Sequence, residues 1–177
     1  MNANIEIIPE GGVTSPKGFY AGATYAGIKK KARDVLDLAL LYSETACTAA
    51  AVFTTNKVKA ASVILDRQKL QNAGRARAVV INSGCANACT GERGMKDAVL
   101  TAELAAKRLG VPPDEVMVAS TGVIGVPLPV DLIEEGLSRI APSRDGGRWL
   151  ARAIMTTDTR PKEIAVTVSS ESSRFTI

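Results

Sequence analysis

At 177 residues the chain is long enough for one domain with a sizeable core, and its apolar share of 46% excludes a disordered polypeptide. Aromatics make up only 4%, so the predicted core is packed with Ala, Val, Leu and Ile. The net charge of +4 is scattered apart from Lys29-Lys30-Lys31 with Arg33, and with few rings to stack on bases no nucleic-acid partner is expected. There is no histidine, which excludes Ser-His-Asp or Cys-His catalysis and His-ligated zinc within this chain.

Met1 to Glu10 mixes polar and apolar residues with acids at Glu6 and Glu10, unlike a signal peptide. No apolar run approaches the roughly 20 residues of a membrane span, so the expected location is the cytoplasm, away from any membrane. Pro9 to Lys17 is an irregular stretch. Phe19 to Ile28 reads as a strand with bulges or close backbone contacts at Gly22 and Gly27. Val35 to Tyr42 and Cys47 to Thr54 read as two strands of an antiparallel hairpin, turning at Ser43 to Thr45. Ala61 to Leu65 reads as a short strand, followed by a helical turn capped by Asp66 and closed at Asn72-Ala73-Gly74.

Arg77 to Ile81 is an apolar strand bounded by Asn82-Ser83-Gly84. The segment Asn82 to Gly91 is almost wholly small and polar. It suits close approach to a ligand or a neighbouring backbone, and its Asn side chains can bond locally. Cys85 and Cys89 are spaced i, i+4, but no third Cys or His stands nearby, so buried or inert thiols are expected and no metal. With Cys47 the set is odd and sparse, as in a reducing compartment.

Met95 to Leu109 is the clearest helix, with a wide apolar face stopped by Gly110 and Pro112-Pro113. Val116 to Val118 reads as a buried strand running out into Ala119-Ser120-Thr121-Gly122-Val123-Ile124-Gly125. Small residues let a backbone approach a ligand, and Gly permits positive φ, so amide N–H groups here could converge on an oxyanion or phosphate. An ordinary strand exit has the same local sequence.

Beyond Pro127 and Pro129, Asp131 is expected to cap a helix that turns Leu132, Ile133, Leu137 and Ile140 inward. Arg148 to Met155 reads as a further helix. It runs into Met155-Thr156-Thr157-Asp158-Thr159, a hydroxyl cluster that can serve as cap or ligand clamp. Lys162 to Val168 is a strand, Ser169 to Ser173 a turn, and Arg174 to Ile177 the start of another strand. A sheet cut there is expected to need more polypeptide. Hairpin strands with a few helices and no βαβ rhythm predict an α+β fold.

Several stretches in register resemble the N-terminal part of the ornithine acetyltransferase (glutamate N-acetyltransferase) family of arginine biosynthesis. They are Lys17-Gly18-Phe19, Ala26-Gly27-Ile28-Lys29, Val52 to Ala60, Asn82-Ser83-Gly84 with Ala86 to Gly91, Ser120 to Gly125, and Ala153 to Asp158. Cys85 departs from the pattern, where the family often has Asn or Gly. The resemblance implies a precursor that cleaves itself at an Ala-Thr step into α and β chains, residues 1–177 being a single-domain α-chain portion. It implies a four-layer αββα sandwich completed by the β chain, and an α₂β₂ heterotetramer.

It further implies that the β chain's N-terminal threonine is the nucleophile, moving acetyl from N-acetylornithine to glutamate and releasing ornithine. Some members also accept acetyl-CoA; no cofactor is implied. A threonine activated by its own α-amine, or by a water that amine holds, needs no imidazole. Thr121 and Gly122 match the family's oxyanion-hole pair, and Thr156 or Thr157 its α-chain substrate-binding threonine. The family's Lys-Gly-x-Gly-Met segment and cleavage step are expected beyond Ile177, so this chain alone is expected to be inactive. Two alternatives stay open: an N-terminal-nucleophile aminopeptidase or amidohydrolase of related fold, and a non-catalytic module binding a small anion at the Gly122 loop.

Overall fold

A computed structural model describes residues 4–29 and 35–177; Lys30, Lys31 and Arg33 of the basic cluster lie outside them, as do residues 1–3 of the leading stretch. The central element is a four-stranded sheet in the order β2-β3-β4-β5. Its strands are β2 (Phe19–Thr24), β3 (Leu38–Thr48), β4 (Arg75–Cys85) and β5 (Val116–Val123). The first three pair antiparallel, and β5 lies parallel to β4 at the edge. One face buries Leu38, Leu40, Ala78, Val80, Val116 and Val118 under three helices. These are α1 (Ala61–Ala73), α2 (Gly91–Leu109) and α3 (Val130–Arg139). The other face carries Ala21, Ala39 and Ile81 against Leu150 and Ala153 of the short helix α4 (Gly147–Ala153).

Small core residues let these layers approach closely. Ala98, Ala102, Ala105 and Ala106 form the buried stripe of α2, which ends at Gly110 in the left-handed conformation. The Gly110 N–H caps Ala106 O, as the sequence predicts. A second sheet, in the order β1-β6-β7, joins β1 (Asn4–Ile7), β6 (Val166–Ser169) and β7 (Arg174–Thr176). It includes an N-terminal strand that the mixed pattern of the first residues concealed. The architecture is α+β, as expected.

Four local expectations are corrected. The hairpin at Ser43 to Thr45 does not form: β3 is one strand whose pairing with β4 shifts register between Tyr42 and Cys47. Arg77 fills that bulge, its guanidinium donating to Ser43 O at 3.2 Å and Glu44 O at 2.6 Å, so the chain continues instead of turning. Residues 49–60 carry no regular structure. Ala61 to Leu65 is not a strand but the first turns of α1, because Ala61, Ser62 and Leu65 recur at helical spacing toward the core. Gly74 still ends the element, its N–H bonding Leu70 O.

Asp131 is not a cap: Pro129 stands at that position and Asp131 lies in the first turn. Finally, β4, α2 and β5 do make a βαβ unit. The short turn Pro113–Glu115 brings the chain back parallel to β4.

Candidate active site

Strand β5 positions the candidate residues. Val116 and Val118 point into the helix-covered core, and Ser120 on the same face donates to Asn82 Oδ1 at 2.7 Å. Ala119 packs on the opposite face, and by the two-residue period of a strand Thr121 shares it. Burial falls away along the strand, so Thr121 is half-buried while Gly122 and Val123 are exposed. Among the described residues the Thr121 hydroxyl has no hydrogen-bond partner.

The expected convergence of successive amides is corrected by the ladder itself. Val118 donates its N–H away from β4, to Asp66 Oδ1, whereas Val123 O faces the β4 side and accepts from Ala86 N–H. The register from Ala78↔Val116 to Cys85↔Val123 is unbroken, so alternation sends the Gly122 N–H outward with that of Val118. The Thr121 N–H is turned toward β4. What the pair offers to a ligand is one backbone amide, at Gly122, and one side-chain hydroxyl, at Thr121.

Gly122 adopts φ +133°, and a Cβ there would fall 2.4 Å from the Gly84 carbonyl carbon. Gly84 is its register partner. A Cβ on Gly84 would in turn meet Lys29 Cγ at 3.0 Å. That lysine is fixed from below by buried Asp37, whose two carboxylate oxygens accept Ala26 N–H at 2.6 Å and Lys29 N–H at 3.0 Å.

From Lys29 the surface opens into a cleft of about 850 Å³, lined among others by Leu36, Trp149, Arg152, Met155, Thr156 and Asp158. Burial holds the Lys29 ammonium below its usual range, opposed by the nearby charge of Asp37. The Lys162 ammonium, hydrogen-bonded to Asp158, holds that carboxyl below the usual carboxylate range. Both threonines are exposed, but Thr156 lines the cleft and Thr157 does not. Helix α4 ends at Ala153, two residues short of the expected end at Met155, which leaves Met155 and Thr156 outside the helix, where both line the cleft.

Ser83 joins the two halves. It stands opposite Thr121 in the β4–β5 ladder and is fully buried, and its hydroxyl donates to Ala153 O at the end of α4. The sequence marks Ser83 only as part of a small polar stretch; its hydroxyl gains a role because α4 crosses the sheet there. Asp66 was likewise concealed, since mid-helix it makes no cap and its partner Val118 is 52 residues away.

The Asn82 to Gly91 segment bonds locally, as its composition suggests. Asn82 Nδ2 donates to Cys85 O, Asn87 Nδ2 to Gly94 O, and Thr90 Oγ1 to Asn87 Oδ1. Cys85 is buried, Cys47 half-buried and Cys89 exposed, all three as free thiols. Among the described residues no group of three or more His, Cys, Asp or Glu could hold a metal ion. None of their helices is long and apolar enough to cross a membrane.

Fold and site together define an α+β chain whose edge strand β5 runs out at half-buried Thr121 and exposed Gly122, beside an open cleft of mixed apolar and charged lining. Residues 20–177 match the ArgJ family, and the chain belongs to that family. It is 54% identical over 177 residues to the arginine biosynthesis bifunctional protein ArgJ of Dehalococcoides mccartyi (strain CBDB1), covering all of this chain and 44% of that protein. It is 51% identical over 169 residues to the ArgJ protein of Symbiobacterium thermophilum, covering 94% and 42%. The chain thus spans less than half the length of these curated relatives.

Among solved structures it resembles the ArgJ protein of Bacillus halodurans, with TM-score 0.93 and 36% identity, covering 100% of this chain and 92% of that one. It also resembles the ornithine acetyltransferase of Mycobacterium tuberculosis complexed with ornithine, with TM-score 0.85 and 41% identity, covering 98% and 92%.

Proposed function

We propose that this chain is the α-chain portion of an acetyltransferase that moves an acetyl group from N-acetylornithine to glutamate in arginine biosynthesis. The carrying observation is that β5 ends with Thr121 half-buried and Gly122 exposed, in an unbroken register with β4. The alternation of that register supports an outward Gly122 amide next to the threonine that bears the hydroxyl. In this mechanism the hydroxyl of an N-terminal threonine on a partner β chain attacks the acetyl carbonyl, its proton passing to that threonine's α-amine, directly or through water. The carbonyl oxygen becomes an anion held by Gly122 N–H and Thr121 Oγ1–H. Collapse returns a proton to the departing ornithine amine and leaves acetyl-threonine. The glutamate amine attacks the same carbon in the second half, and the same donors hold the second oxyanion. Its collapse breaks the ester bond, releasing N-acetylglutamate as the proton lost by the amine returns to the threonine oxygen. Thr156, in the cleft, contacts the amino-acid substrate.

Three further observations support this assignment. The absence of histidine suits a nucleophile that carries its own base. The chain covers under half of whole-length relatives but 92% of a single chain in each solved structure, as expected of one product of a cleaved precursor. Val123 and Ile124 stand 59% and 63% exposed beside the donors, an apolar rim suited to a partner chain. That partner would complete the four-layer αββα sandwich and the α₂β₂ heterotetramer in the cytoplasm, with residues 1–177 as one domain. Acetyl-CoA is a further donor to be assayed.

The test is mass spectrometry and activity of the assembled protein. A co-purifying chain beginning with Thr, together with acetyl transfer from N-acetylornithine to glutamate, is expected. Peptide hydrolysis without transfer would favour an aminopeptidase, and a lone folded chain binding small anions would favour a non-catalytic module.

A further inference from the structure

Helix α1 does for the outer edge of β5 what a fifth strand would do. As an edge strand, β5 turns every second N–H and C=O away from its neighbour. Asp66 Oδ1 accepts the outward N–H of Val118 at 2.9 Å. Lys69 Nζ donates to the outward carbonyl of Val116 at 2.8 Å and to Pro113 O at 2.7 Å. The two side chains are three residues apart on α1, and so share one face of the helix. Among the described residues no other side chain hydrogen-bonds this edge.

The arrangement costs free energy to maintain. Both side chains are half-buried, and burial is the leading influence on each, pushing Asp66 up to about 6 and Lys69 below its usual range. Apolar residues there would avoid that cost but would leave the edge amide and carbonyls without their side-chain partners. The clamped residues, Val116 and Val118, sit on the same strand and in the same unbroken register as Thr121 and Gly122. A strand fixed in rise at Val118 is therefore fixed at Gly122, two alternations further on.

We propose that Asp66, assisted by Lys69, is a positioning residue that sets where the Gly122 N–H and the Thr121 hydroxyl meet the reacting carbonyl. This rests on the acyl-transfer function proposed above. Donors to an oxyanion act over a narrow range of distance, so a small slip of the strand lowers the rate of the chemical step more than it weakens substrate binding.

In the assembled two-chain enzyme, Asp66→Ala removes the acceptor, whereas Asp66→Asn keeps an oxygen at Oδ1. Asp66→Ala is expected to lower kcat about 10- to 100-fold with KM changed less than about threefold, and Asp66→Asn to recover most of the loss. Amide hydrogen exchange over 116–123 should accelerate about tenfold or more in Asp66→Ala and stay near wild type in Asp66→Asn. A folded Asp66→Ala with unchanged exchange, or with faster exchange and an unchanged kcat, overturns the inference; so does an Asp66→Asn as impaired as Asp66→Ala. Should Asp66→Ala not fold, Lys69→Met carries both measurements with expected losses of about 3- to 10-fold, and no loss there overturns it. A wild-type enzyme without acetyl transfer fails the proposed function and this inference with it. An active wild type beside an equally active Asp66→Ala fails the inference alone.

Discussion

Gly84 and Gly122 face each other across the β4–β5 ladder with no room for a side chain between them: a methyl on Gly122 would lie 2.4 Å from Gly84 C and 2.7 Å from Cys85 N. Gly122 also sits at φ +133°, which L side chains rarely adopt. Gly122→Ala should therefore destabilise the fold by about 1–3 kcal/mol, since neither atom it meets belongs to a flexible side chain. Thermal unfolding measures this, and a Tm unchanged from wild type would contradict the packing described.

Thr121→Ala should lower kcat by about 10²–10³ with little change in KM, because the hydroxyl acts on charge that develops only in the transition state. Thr121→Ser keeps the donor and should stay within about tenfold of wild type. Steady-state kinetics of acetyl transfer to glutamate distinguishes the two. A Thr121→Ala enzyme with normal kcat would remove the hydroxyl from the reaction.

Thr156 and Thr157 should separate by KM. Thr156 lines the cleft and Thr157 does not, so Thr156→Val should raise KM for the amino-acid substrate about 5- to 20-fold, the loss of one hydrogen bond. Thr157→Val should stay within about twofold. The reverse order would relocate the substrate contact.

Asp66 gives a pH dependence of known sign. Its folded pKa of about 6 lies above the unfolded value, so the folded chain binds the proton more tightly. The stability this group contributes is full below about pH 4 and is lost as pH rises through about 6. Asp66→Asn cannot titrate. Its stability relative to wild type should therefore rise by on the order of 1–2 kcal/mol between pH 4 and pH 7, as read by urea unfolding at both. A relative stability that falls over that range would mean the carboxylate is net stabilised by its bond to Val118.

What the amino-acid sequence determined by itself was whatever depends on nearby residues. The apolar stripe of α2 and its Gly110 stop are legible because helical period and left-handed caps are local properties. So is the ban on imidazole chemistry, and so is the family, because the matching stretches keep their order along the chain. Only the tertiary structure decided which local propensities would win. Ala61 to Leu65 became helix because its small and apolar residues meet the core at helical spacing, and Ser43 to Thr45 became a bulge because Arg77 arrives to hold its carbonyls. It decided too that the amides of Thr121 and Gly122 face opposite ways, since a strand's alternation has no meaning until the neighbouring strand is in place. Ser83 and Asp66 stayed unreadable for the same reason: each acts through a partner dozens of residues away, and only chain folding creates that proximity.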